Sequence, residues 1–257
     1  MKSVNKKFLV IFLIVVLSFP IVHAQTIPIT ISSRMNNVTF DGKWSFTQEW
    51  KESSLTQMGE SSNPIYLRTA HWQNYVYVMI DDVENTNFEK NSDRAIVCFD
   101  TNDDKSKIAD MDDYCFISIL NGKTFVLQGG SDLAANDNFN KISIPSDFIA
   151  VGSISDEHDR YTNIPHPSYE FKIPTKLIGR SDHYGFYVSV YDATKSKSYT
   201  WPGNENSLKI PSPQTWGELF SPDKSLPEFP YPAIAFVLGI LVIVYYTRFS
   251  RNNFLKN

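Results

Sequence analysis

Along the middle of the chain, apolar and polar positions alternate with a period close to two. Ile65–Trp72 and Tyr75–Ile80 read as the two strands of a hairpin, with Gln73-Asn74 as its two-residue turn. Arg94–Phe99 and Tyr114–Leu120 are two more strands; Asn121-Gly122 is a strong hairpin turn, and Thr124–Gln128 is the partner it returns to. Tyr169–Ile173 and Tyr184–Tyr191 complete the set. In the last, Phe186, Val188 and Val190 share one face and Tyr187, Ser189 and Tyr191 the other. β-Branched and aromatic residues dominate these runs. Helical periodicity is confined to a turn or two around Pro174–Ile178. Many short strands with regular turn signals predict an all-β fold, an antiparallel, jelly-roll-like β-sandwich.

The two ends break this pattern. Lys2, Lys6 and Lys7 precede an unbroken apolar run from Phe8 to Leu17. Pro20 ends it, and Val22-His23-Ala24 has the small-residue form of a cleavage site before Gln25. Residues 1–24 therefore read as an export signal; an uncleaved anchor is the alternative, for which the run is short. Residues 231–247 are uncharged, carry Tyr231, Tyr245 and Tyr246 at their margins, and have the length of one membrane-spanning helix. Arg248, Arg251 and Lys256 make a basic tail, 248–257, which the positive-inside rule places in the cytoplasm with everything before the span outside. A buried core helix is the alternative for this segment. Seven of the 14 prolines fall between Pro202 and Pro232, which reads as an extended stalk over 217–230 and bounds the sandwich at 25–216.

Within that stalk, Pro227-Glu228-Phe229 stands before the apolar span and the basic tail. The order resembles the PEF-type (PEFG) C-terminal sorting signals of archaeal surface proteins, although Pro230 stands where Gly is usual. That resemblance implies an archaeosortase as a partner, acting at the motif. A plain single-pass anchor is the alternative.

The mild net charge of −4 conceals this organisation. Without the six basic residues of the two ends and Glu228, 18 basic and 27 acidic residues remain, so the exterior portion is near −9. No nucleic-acid partner fits a surface of that sign. Catalysis has little support: there is no H-E-x-x-H among His71, His158, His166 and His183, no G-x-S-x-G elbow and no Gly-rich phosphate loop. No organic cofactor is expected.

Several pieces then fall in a recognisable order. Phe40-Asp41-Gly42-Lys43-Trp44 and Trp50 are followed by the Tyr75 strand ending in Asp81-Asp82, and by Asp93–Asp100 with Thr101-Asn102-Asp103. Tyr169–Pro174, Gly185–Asp192, Tyr199-Thr200-Trp201-Pro202 and Pro213-Gln214-Thr215-Trp216-Gly217 follow in turn. The succession resembles the family 9-like, or DOMON-like, carbohydrate-binding sandwich over nearly the whole domain. The resemblance implies a non-catalytic module that binds a carbohydrate or cell-envelope glycan. In that family two Trp sandwich a terminal sugar unit, but no residue-by-residue match to that pair is evident here.

Candidate site residues follow from exposure to solvent and spacing. Trp72, at a strand end beside His71 and the Gln73-Asn74 turn, and Trp201, before Pro202-Gly203-Asn204, are candidate sugar platforms, because sugar rings present apolar C–H faces. Trp44 reads as core. Asp100-Thr-Asn102-Asp-Asp104 has the alternate-residue spacing of a calcium loop, and Asp112 lies in the same acidic stretch; a structural Ca²⁺ is weighed against a solvated acidic loop. Lys105 and Met111 exclude an EF-hand. Cys98 and Cys115 lie at the ends of strands joined by that stretch, and in an exported protein they are expected to form a disulfide. Asn37-Val38-Thr39 is a glycosylation sequon. Two further functions stay open: a structural or adhesive surface protein without a sugar ligand, and a haem domain with Met79, Met111 or a His as axial ligands.

Overall fold

The computed structural model describes residues 25–59, 64–130, 139–203 and 208–222. The export signal 1–24, the Pro227-Glu228-Phe229 motif, the apolar span 231–247 and the basic tail lie outside the described residues.

Among the described residues fourteen strands form two sheets, and the expected hairpins are all present. The first sheet runs β1 (Thr26–Pro28), β14 (Gly217–Phe220), β12 (His183–Asp192), β6 (Arg94–Asp100), β7 (Asp113–Ile119), β8 (Thr124–Gly129), β9 (Phe139–Ile142), with β13 (Lys197–Trp201) also paired to β12. The second runs β10 (Ile149–Ile154), β11 (Pro167–Pro174), β5 (Tyr75–Asp81), β4 (Ile65–Trp72), β2 (Thr30–Ile31), with β3 (Ser54–Met58) on β4. All pairings are antiparallel except β1 with β14 and β2 with β4. A single helical turn, α1 (Thr175–Ile178), follows β11 where the sequence indicates one. Among the described residues no helix is long and apolar enough to cross a membrane.

Alternation places one set of side chains between the sheets. Ile65, Leu67, Val76, Val78, Ile80, Tyr169, Phe171 and Ile173 face Ala95, Val97, Phe99, Phe116, Phe186, Val188 and Val190. Phe99 stacks edge-on with Phe186 at 5.1 Å, and each such fully buried side chain contributes about 1.5–3 kcal/mol. The other set does not meet water either. Residues 33–53 and 155–165 cross the outer face of the second sheet, burying Trp44 and Trp50 over Ala70, Tyr77 and Met79. Residues 210–216 cross the first, where Trp216 lies on Ile96, Cys98, Cys115 and Tyr187. Double coverage explains why β5 and β6 are buried at nearly every residue instead of alternating.

The domain boundary expected at 216 falls short. Gly217–Phe220 is a strand held between β1 and β12, and Ser221 N–H donates to Asp182 O at 2.9 Å. Leu219 turns into the core, and Gly217 is needed because a Cβ there would collide with the Trp201 ring.

Candidate functional site

The β4–β5 hairpin gathers most of the expected sugar-contact residues. Trp72 and Tyr75 are a directly opposed cross-strand pair, so both rings leave the second sheet on its outer face, and both are half-buried. Tyr77 continues the aromatic row, with Phe40 stacked on it at 6.2 Å, and the Lys172 ammonium lies 4.1 Å from the Tyr75 ring. The turn is held open by Gln73 at φ +53°. Arg180 fixes it from α1's side by donating to Gln73 O and, at 3.0 Å, to Asn74 Oδ1; Thr175 N–H donates to Asn74 O at 2.8 Å. Beside the turn is an open depression of about 360 Å³ lined by Asn74, Tyr75, Asp147, Pro174, Thr175 and Lys176. A smaller one adjoins it at His71, Gln73, Tyr75 and Arg180. His71 Nε2 lies 3.2 Å from Ser221 Oγ. The arrangement sets aromatic faces next to amide, guanidinium, ammonium and carboxylate groups, the mixture that a sugar's C–H faces and hydroxyls require.

Trp201 does not join this cluster. Its ring is 9% exposed in the core between the sheets, 6.0 Å from Phe186, because β13 pairs it with Val188 and turns it inward. Tyr75 and Arg180 are the partners the sequence reading missed. Tyr75 looked like one more strand aromatic, and Arg180 reaches the turn from 106 residues away.

The cysteines behave as expected. Cys98 and Cys115 oppose each other across β6 and β7, 4.1 Å apart at Cα, and are joined by a disulfide. Asn37 is exposed at the end of a short 3₁₀ turn, Ser33–Asn37.

The acidic loop is built differently from a D-x-N-x-D calcium loop. Asp100 is fully buried, and its carboxylate accepts from the backbone N–H groups of Asp104 (3.3 Å) and Lys105 (3.0 Å). Asp103 and Lys105 at φ +52° and +54° turn those groups toward it. Asp100 is thus a loop cap, and Asn102 takes part through its own N–H, which donates to Asp112 Oδ2 at 3.1 Å. The acids that do converge are Asp104, Asp112 and Asp110, with oxygens within 4.8 Å of one another. Burial and the neighbouring Asp110 carboxylate push Asp112 up to about 6.

A second ionic centre lies on the outer face of the second sheet, and it uses residues the sequence reading passed over. Glu170 is buried and accepts from Asp41 N (3.0 Å), Gly42 N (2.7 Å) and Trp50 Nε1 (2.8 Å). Gly42 reaches it at φ +76°, where an added Cβ would lie 2.6 Å from Ser153 Cβ. Burial pushes Glu170 up to about 8, against three donors that favour its ionised form. Arg68 runs beneath Trp44, 4.9 Å from its ring, and donates to Tyr161 Oη at 2.9 Å and Trp50 O at 3.2 Å. At the end of β5, Asp81 Oδ1 meets His166 Nε2 at 2.7 Å. Burial raises Asp81 to about 6 against the pull of His166. Burial works against a charge on His166, but the Asp81 hydrogen bond and charge hold it above the ordinary histidine range. The haem ligands weighed above do not converge: Met79 is buried under Trp44 and Trp50, and Met111 is 69% exposed on the loop of the other sheet.

No protein-family model matches the chain, and no curated protein matches it in sequence. Among solved structures it is similar to a family 9 carbohydrate-binding module from Caldicellulosiruptor kristjanssonii. In complex with cellotriose, that module is 12% identical, with a TM-score of 0.50, over 79% of this chain and 97% of the other. In complex with glucose the figures are 15%, 0.51, 80% and 100%. The chain shares its fold with family 9 carbohydrate-binding modules. The resemblance read from the sequence motifs and the likeness of the two-sheet sandwich thus agree on the fold.

Proposed function

We propose that the protein is a non-catalytic carbohydrate-binding module that works outside the cytoplasm. It is held at the cell membrane by the apolar segment 231–247 or released at Pro227-Glu228-Phe229. The observation that carries the reading is the opposed Trp72–Tyr75 pair at the turn end of the β4–β5 hairpin, on the outer face of the second sheet, beside a polar depression containing Asn74, Lys176 and Asp147. The fold shared with modules held with cellotriose and glucose supports it, and the disulfide fits an oxidising exterior. A sugar would stack on Trp72 or Tyr75 while Asn74 and Arg180 receive its hydroxyls. Asp104, Asp110 and Asp112 would hold a structural Ca²⁺ in the acidic loop, remote in sequence from that contact.

Calorimetry of residues 25–226 with glucose, cello-oligosaccharides and a wider glycan panel tests this. Binding in the micromolar to millimolar range, weakened about tenfold or more by Trp72→Ala with folding intact, is the expected result. No binding to any glycan at millimolar concentration sinks the reading and leaves the structural or adhesive one.

A further inference from the structure

Three donors from separate parts of the chain meet under the loop 155–166: Asp81 from β5, Asp159 from the loop, and His166 from the residue before β11. Their nearest ligand atoms all lie within 4.8 Å of one another. Each side chain is at most 1% exposed. Asp159 spends Oδ1 on the N–H groups of Tyr161 (2.8 Å) and Thr162 (3.1 Å), and Asp81 spends Oδ1 on His166. The remaining oxygens, Asp81 Oδ2 and Asp159 Oδ2, are buried with no hydrogen-bond donor. Asp159 Oδ2 stands 3.9 Å from His166 Nε2. Two carboxylates brought together out of water repel strongly unless a proton or a cation lies between them.

The histidine supplies the donor a cation would need. Its Nδ1 lies 2.8 Å from Ile164 O, a group that only accepts, and 2.8 Å from Ser155 Oγ, so Nδ1 carries a hydrogen, and Nε2 has only to give up the proton it shares with Asp81 at 2.7 Å to offer a lone pair. A backbone carbonyl fixing the far nitrogen is the outer-shell arrangement of a metal-ligating histidine. One imidazole nitrogen with two carboxylates suits zinc and its transition-metal neighbours; calcium and magnesium prefer all-oxygen shells. Donors of a tetrahedral zinc stand about 3.4 Å apart, given bond lengths near 2.1 Å. The 2.7 and 3.9 Å separations bracket that value.

We propose that Asp81, Asp159 and His166 form a buried site for one divalent transition-metal ion, zinc fitting the donor set, which clamps the loop 155–166 onto the second sheet. On binding, Nε2 gives up any proton it shares with Asp81, and the loop that carries Tyr161 is fixed over Tyr66, on which Tyr161 stacks at 3.8 Å.

The test uses the purified full chain, stripped with a chelator and titrated with ZnCl₂, CaCl₂ and MgCl₂, with bound metal counted by elemental analysis. One equivalent of zinc, a zinc-induced rise in Tm that is lost in Asp159→Asn, and a visible absorption band on Co²⁺ substitution are expected. Asp159→Asn keeps the Oδ1 acceptor for Tyr161 and Thr162, and so should fold while binding zinc about 100-fold more weakly. His158→Ala controls for the exposed Asp156, Glu157 and His158 group and should change nothing. Failure of the folded chain to bind zinc would mean that a proton, not a metal, joins the carboxylates, and would overturn the proposal. Unchanged zinc affinity in Asp159→Asn, or calcium bound in zinc's place with the same dependence on Asp159, overturns it equally.

Discussion

The two outer faces of the sandwich solve the same problem by different chemistry. Each sheet needs a cover, since its central strands carry large side chains on both sides. On the first sheet the cover is apolar: Trp216, Tyr187 and Ile96 around the Cys98–Cys115 disulfide. On the second it is ionic and aromatic: Glu170, Arg68 and the Asp81–His166 pair, threaded between Trp44, Trp50 and Tyr161. An apolar cover tolerates truncation in proportion to the volume removed. A charged one fails steeply when one member is lost, because its partners stay buried without water.

The largest effect is therefore expected at Glu170. Glu170→Ala strands the N–H groups of Asp41, Gly42 and Trp50 together and, at about 1–3 kcal/mol for each buried donor left unpaired, should cost about 3–5 kcal/mol in denaturant unfolding. A loss under 1 kcal/mol would show that water replaces the carboxylate and that the two covers do not differ in kind. On the apolar face, replacing both cysteines by Ala should cost about 3 kcal/mol by loop entropy for a span of 17 residues. Trp216 and Tyr187 should still cover the sheet, with spectroscopic signals of the fold unchanged.

A third effect separates the faces by pH. Glu170 in the folded chain holds its proton up to about 8, whereas the unfolded chain releases it near the ordinary carboxylate value of 4.5. Between those values the folded state binds more protons, so this group's contribution is full below about pH 4.5 and is lost as pH rises toward 8. Tm should accordingly decline from pH 5 to pH 8, and Glu170→Gln should flatten the decline. An identical slope in that variant would mean the ionised form, favoured by its three donors, prevails throughout.

The difference between the faces also decides what was legible in the sequence. Hairpins announced themselves through local alternation and turns such as Asn121-Gly122, and the disulfide followed from strand ends and compartment. Short edge strands such as β1, β2 and β9 carry too few residues to show a period, and β14 hid in a proline-rich stretch. The ionic cover was opaque for another reason. Asp81, Asp159 and His166 lie in three places along the chain, and no spacing rule joins residues that only the fold of a loop over a sheet brings within reach. Asp100 shows the converse: its D-x-N-x-D spacing is a local pattern, but positive-φ turns at Asp103 and Lys105 direct its carboxylate to backbone N–H groups. At the β4–β5 hairpin, Trp72, His71 and Asn74 were legible as neighbours in sequence, while Arg180 was not.

The smallest effect compares two arginines of the same cover. Arg34 pairs with Glu52 at 3.1 Å, yet both side chains are about half exposed (51% and 52%). Arg68 makes hydrogen bonds of similar length from a buried position. If length alone set the energy, the two would matter equally. Solvent screening and the entropy of holding two long side chains should instead reduce the Arg34–Glu52 pair to about 0.5 kcal/mol or less, vanishing in high salt. Glu52→Ala should thus leave the denaturation midpoint nearly unmoved. Arg68→Ala should lower it by several times as much, since it removes the packing under Trp44 and leaves Tyr161 Oη without its donor. Equal losses for the two variants would place the strength of the ionic cover in its surface rim rather than in its buried centre.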